Sequence, residues 1–237
     1  MAAALDVEQL YIEEDRAKLR LLKDKRIGRL VVYIRKPADA ERLAACKSID
    51  FLEVRGWKEP DLSALQGLAV RSLHLVGGSL TSLKGLNTKR LKCLWVHACG
   101  RLRELAVPPF PWLRLWASNN LDLDCLGSVR GLVGLDIGMR KVIDSLAFVA
   151  KCRTLRFLTI DAYAWKSQDF RPLGRAPALE IVGFTRLKRS VVEAIGKVNR
   201  KLLIGGTSCN CYMRDGRPTS ADDYQKLRRA FNKRYGV

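Results

Sequence analysis

Few side chains in this sequence are able to do chemistry. It holds two histidines, His74 and His97, seven cysteines and five tryptophans. An imidazole beside a hydroxyl, thiol or carboxylate can act as a general base, and with further ligands it can hold a metal. No serine, cysteine or carboxylate forms an evident relay with either histidine. Cys93 is the thiol to pair with His74, but a cysteine also serves as a small apolar residue. Cys209-x-Cys211 is the one close cysteine pair, and it lacks the second Cys or His pair of a structural zinc site. The odd count and irregular spacing fit free thiols in a reducing compartment. Gly77-Gly78 and Gly205-Gly206 match no phosphate-loop pattern and read as tight turns. The sequence therefore predicts no catalytic residue, no metal and no cofactor.

Charge points to binding instead. The 237 residues include 43 Lys and Arg against 24 Asp and Glu, a formal net charge of +19. Such a bias suits an acidic partner: nucleic acid, an anionic membrane or an acidic protein. The excess is concentrated at the two ends and in predicted loops, as in Lys23-Asp-Lys25-Arg26, Arg186-Leu-Lys188-Arg189 and Arg228-Arg229. Hydrophobic residues make up 48%, enough for a core. No apolar run approaches the ~20 residues of a membrane span. The first eight residues lack the basic and apolar regions of a secretory signal, so a cytoplasmic location is expected.

The elements that position these residues repeat. Ile49-x-x-Leu52-x-Val54, Val70-x-x-Leu73-x-Leu75 and Leu91-x-x-Leu94-x-Val96 lie over one another. Leu132-x-x-Leu135-x-Ile137, Leu155-x-x-Leu158-x-Ile160 and Leu179-x-x-Val182-x-Phe184 continue the pattern, and Trp112-Leu113-Arg114-Leu115 fits it with a shortened lead-in. Each alternating stretch reads as a strand. Between strands, Leu62-x-x-Leu65-x-x-Leu68 and Leu80-x-x-Leu83-x-x-Leu86 have helical or 3₁₀ spacing. One such unit cannot cover its own apolar edge, so units must stack into one continuous core.

These segments resemble the leucine-rich-repeat family, whose pattern Leu91-Lys-Cys-Leu94-Trp-Val96-His-Ala-Cys99 follows through its final cysteine. The resemblance covers roughly residues 49–205. At the position of Cys99 the other repeats carry Trp57, Gly78, Ser118, Arg140, Tyr163 and Leu187, so it implies an irregular, short, bacterial-type array. It implies an α/β repeat fold: a right-handed solenoid with a parallel, concave β-sheet of about eight strands and terminal caps. The expected divisions are an N-terminal cap at 1–28, the array at 29–206, and a C-terminal loop and capping helix at 207–237. Residues 8–26 suit a helix or a hairpin equally. Ser220 to Asp223 resembles a helix capping box, and Tyr224, Leu227, Phe231 and Tyr235 then share one helical stripe over the last coil. Residues 209–218 read as a loop turning at Asp215-Gly216.

Strand alternation sends the leucines inward and the residues between them outward. The outward column between the two strand leucines is Glu53, His74, Trp95, Arg114, Asp136, Thr159 and Gly183. The next is Arg55, Val76, His97, Trp116, Gly138, Asp161 and Thr185, and the flanking one is Phe51, Ser72, Cys93, Trp112, Gly134, Phe157 and Ile181. The middle repeats thus gather Trp95, His97, Arg114, Trp116 and Asp136, with Glu53, His74 and Asp161 at the margins. Trp and Arg dominate interface hot spots, and carboxylates within the patch suit a protein better than phosphates. The expected activity is sequestration or inhibition of a protein partner, acidic in character, through the concave face. The family analogy suggests a toxin-neutralising immunity protein. The alternative is a basic nucleic-acid-binding solenoid, for which only weak, salt-sensitive binding is expected.

Overall fold

The computed structural model describes residues 6–12, 16–34, 36–105, 108–118, 121–165 and 169–235. Twelve strands form one open sheet in chain order. They are β1 (Val7–Ile12), β2 (Arg26–Tyr33), β3 (Ser48–Arg55), β4 (Val70–Val76), β5 (Cys93–His97) and β6 (Trp112–Trp116). The rest are β7 (Gly134–Ile143), β8 (Phe157–Trp165), β9 (Ile181–Phe184), β10 (Leu203–Gly206), β11 (Cys211–Arg214) and β12 (Arg217–Thr219). All neighbours from β1 to β10 pair parallel; β11 and β12 close the sheet with two antiparallel pairings. Ten parallel strands exceed the expected eight because the parallel pairing reaches back to β1. Residues before 28 thus supply a further strand and a 3₁₀ segment, Arg16–Leu22, in place of the helix or hairpin considered for 8–26.

The connections carry short helical segments: α1 (Pro37–Ala44), 3₁₀ turns at Ser63–Leu65 and Leu123–Ser128, α2 (Ala147–Lys151), α3 (Arg171–Arg175) and α4 (Arg189–Val198). No helix among the described residues is long and apolar enough to cross a membrane. One face of the sheet meets these segments in a continuous core. Leu52, Leu73, Leu94, Leu113, Leu135 and Leu158 stand as successive register partners in it, each at most 3% exposed. Burying each such side chain stabilises the fold by about 1.5–3 kcal/mol.

A recurrent turn follows five of the twelve strands. Gly56, Gly77, Ala98, Ala117 and Arg186 occupy one repeat position, and all adopt left-handed backbone, φ between 52° and 70°. The amides of Gly56, Gly77, Ala98 and Ala117 each donate to a carbonyl of the next strand. One residue further, Trp57, Cys99 and Ser118 are buried; Cys99 donates to the Gly77 carbonyl and Ser118 to the Trp116 carbonyl, while Trp57 Nε1 donates to the Asp61 carbonyl in the following loop. Gly78 must be glycine, since a Cβ there would sit 2.1 Å from the Trp57 carbonyl oxygen. The Gly205-Gly206 pair, expected as a turn, lies inside β10, and the loop expected at 209–218 is the β11–β12 hairpin, turning at Asp215-Gly216 as predicted.

The C-terminal helix α5 (Ala221–Tyr235) starts where the capping box predicted: the Asp223 amide donates to Ser220 Oγ, which donates to the Asp223 carboxylate. It reaches beyond the end of the array. Tyr224, Leu227, Phe231 and Tyr235 pack with Trp112, Phe157, Ile181 and Leu203 in a second apolar cluster on the opposite, otherwise open face of the sheet. Phe231 lies 5.6 Å from Phe157 and 6.4 Å from Trp112, centroid to centroid. Small residues make the seat. A Cβ on Gly205 would stand 2.6 Å from the Tyr224 ring, and one on Gly134 would collide with Trp112 at 2.1 Å.

Candidate functional site

The observed register reproduces the outward columns. Glu53, His74, Trp95, Arg114, Asp136, Thr159 and Gly183 follow one another as Cα partners from β3 to β9. Arg55, Val76, His97, Trp116, Gly138 and Asp161 do the same alongside. All eight residues singled out from the sequence therefore share the open face. Helix α5 covers the flanking column from β6 to β10, so Trp112 is 2% exposed, whereas Trp116 remains 37% exposed.

The central residues form a stacked row. The His74 and Trp95 rings lie 4.1 Å apart at 13°, and His97 lies 6.2 Å from His74 and 6.3 Å from Trp95. The Arg114 guanidinium carbon stands 5.6 Å from the Trp95 centroid, a cation–π contact. Arg114 Nε is 3.9 Å from Asp136 Oδ2, and Thr159 donates to the other Asp136 oxygen. Asp161 accepts from Thr185 in the same way. Trp116 lies over Gly138, where a Cβ would come within 2.8 Å of its ring. Beside it a depression of about 360 Å³ is lined by His97, Trp116, Met139, Asp161, Tyr163 and Arg186. The Arg186 guanidinium stands over Tyr163 at 5.8 Å.

One contact escaped the sequence reading. Glu53 Oε2 lies 3.2 Å from His74 Nδ1, and Arg55 Nε donates to Glu53 Oε1 at 2.6 Å. Glu53 and His74 are buried, at 7% and 8% exposure. The signal was present, since the column sets Glu53 directly beside His74. Burial pushes the Glu53 carboxyl up, and the hydrogen bond and charge of Arg55 with the charge of His74 outweigh it, holding its pKa below the usual value. Burial lowers the His74 pKa, and the Glu53 carboxylate offsets only part of that.

The arrangement can stack, accept and donate hydrogen bonds, and form ion pairs. His74 Nε2, Trp95 Nε1 and Arg114 Nε, on three successive strands, are buried without a hydrogen-bond partner. The thiol proposed to pair with His74, Cys93, has its pKa pushed up by burial, with Arg114 pulling weakly the other way. All seven cysteines are free; Cys46, Cys99, Cys152 and Cys211 are buried, while Cys93, Cys125 and Cys209 are half-buried. Among the described residues no group of three or more His, Cys, Asp or Glu is placed to hold a metal ion.

Fold and surface together define an open, mostly parallel α/β sheet with a polar–aromatic row on its uncovered half. Comparisons with protein-family models, with curated proteins and with solved structures gave no match.

Proposed function

We propose that this chain is a leucine-rich-repeat-type right-handed solenoid that binds a protein partner on the concave face of its sheet and thereby sequesters or inhibits it, as a toxin-neutralising immunity protein does. What supports the solenoid is the strictly sequential strand order joined to the repeated turn. What carries the binding reading is a contrast within one face. The chain's own helix α5 covers the apolar half of that face, and leaves the stacked row His74–Trp95–His97, with Arg114 and the exposed Trp116, uncovered. Large rings beside an arginine and two carboxylates offer apolar area together with orienting charge. The mixed charge of Arg114, Asp136 and Asp161 suits a protein surface. The site comprises Trp95, His97, Arg114, Trp116 and Asp136, flanked by Glu53, His74 and Asp161.

The test is affinity capture from a native lysate with the wild-type chain, Trp116→Ala and Arg114→Ala, read by quantitative mass spectrometry. A protein retained by the wild type and lost by both variants, with both still melting as the wild type does, is the expected result. Equal retention by all three contradicts the site.

A further inference from the structure

Strand direction sorts the charge of this molecule. Because β1 to β10 run parallel and in register, every strand start lies along one edge of the sheet and every strand end along the other. The starting edge carries cations at six of its ten strands. Lys25, Lys47, Arg71, Lys92, Arg153 and Lys201 stand there, at the starts of β2, β3, β4, β5, β8 and β10, and all are exposed. They are neighbours through the backbone: the Lys47 amide donates to the Lys25 carbonyl, and the Lys92 amide to the Arg71 carbonyl. Among the described residues none of these six cations has a carboxylate within ion-pair distance. Asp6, Glu8, Asp24, Asp50, Glu180 and Asp215 interrupt this edge, and Arg90, Arg156 and Arg214 pair with Asp50, Glu180 and Asp215. The opposite edge is mixed: Asp61, Asp122, Asp124 and Asp144 stand there together with Lys58, Arg101, Arg103, Arg186 and Lys188. Helix α5 adds to the basic side: Arg234 shares a cleft with Lys201 and Glu180, and Arg229 and Lys233 are exposed one turn apart.

We propose that this basic edge binds the phosphate backbone of a double-stranded nucleic acid, independently of base sequence. Eight strand spacings of ~4.8 Å, from β2 to β10, give a rail of roughly 40 Å, which matches roughly a dozen base pairs at ~3.4 Å each. A protein partner would need an interface core depleted of charge, and lysine-rich surface is what such cores exclude. A single strand would be held by stacking on aromatic rings. The rings of this protein lie in the core, on the open face or under α5; Phe231 borders the cleft of Lys201 and Arg234, but among the described residues none of the six edge cations stands over a ring. What remains is a row of point charges suited to phosphates on the outside of a duplex.

The test uses fluorescence anisotropy with a labelled duplex of about 20 base pairs, the single strand of the same sequence, and polyglutamate, across a salt series from about 50 to 200 mM. Two triple variants change the net charge equally: Lys47→Glu with Arg71→Glu and Lys92→Glu on the basic edge, and Lys58→Glu with Arg101→Glu and Arg103→Glu beyond the strand ends. The wild type binds the duplex best, with log K linear in log salt. The basic-edge variant binds it at least ~10-fold more weakly, with the slope reduced by about 0.9 for each phosphate no longer neutralised. The strand-end variant stays within about twofold of the wild type. Arg71→Ala and Lys92→Ala, singly, carry the test if the triple variant melts early, and each lowers the slope. Equal weakening by both triple variants, polyglutamate bound as tightly as duplex, a preference for the single strand, or no duplex binding at the lowest salt each overturns the proposal.

Discussion

At His74, burial and a carboxylate pull in opposite directions, and burial prevails. The folded protein therefore takes up a proton at His74 less readily than the unfolded chain, whose histidine has the ordinary value of 6.5. Above that value His74 is neutral in both states and the native contact is fully kept. As pH falls through it toward the lowered folded value, the unfolded state binds more protons and stability declines. Melting temperature is expected to drop between about pH 7.5 and pH 5.5, and His74→Phe, which keeps a ring against Trp95, should remove that part of the slope. Identical slopes for the two proteins would show that His74 does not titrate in this window. Glu53 acts in a lower window, as its pKa is held below the ordinary 4.5. Sequence alternation placed Glu53 and His74 side by side, but alternation fixes only the face. That Glu53 turns to His74 and Arg55 depends on side-chain torsions, which spacing does not specify.

Two features act at the level of the repeat. The first is the leucine ladder. Leu94 is fully buried among ladder neighbours on both sides, so Leu94→Ala leaves a cavity and is expected to cost about 2–5 kcal/mol in denaturant unfolding; a change within error would contradict its place. The second is the left-handed turn residue. Ala98 has φ 55°, a region that costs an L-residue roughly 1–2 kcal/mol, while glycine loses about 0.5–1 kcal/mol more chain entropy on folding. Ala98→Gly is thus expected to stabilise the fold by up to about 1 kcal/mol, read in the same unfolding experiment. Destabilisation would mean that the Ala98 methyl does more packing than its exposed position indicates. The ladder was legible because period-two alternation recurs in register. Strand β1 was not: Val7-Glu-Gln-Leu-Tyr-Ile lacks the paired leucines, and it enters the sheet by pairing with β2. The β11–β12 hairpin was hidden likewise, being short and carrying Pro218.

Across the whole molecule, helix α5 and the direction of the strands divide the surface into parts. The stripe of Tyr224, Leu227, Phe231 and Tyr235 announced in the sequence that α5 is buried on one side, but a stripe does not say against what. Gly183 and Gly205 are what admit its Tyr224 to the open face, and they become a seat only once register aligns them. Charge was equally half-legible. Composition and spacing gave +19 with clusters at the ends and in loops, and that the strand-start edge is the more basic one appears only when β1 to β10 are known to be parallel. The uncovered aromatic row between α5 and the strand ends is the surface on which the account rests. Its most direct test is calorimetric titration of the captured partner protein into the wild type, Trp95→Ala and Trp116→Ala, with a thermal melt of each. Each variant is expected to weaken binding by about 2–4 kcal/mol, or roughly 30- to 1000-fold, with a melting temperature close to that of the wild type. Unchanged affinity in both, or binding lost only together with the fold, would contradict the claim that this half of the open face is the working surface.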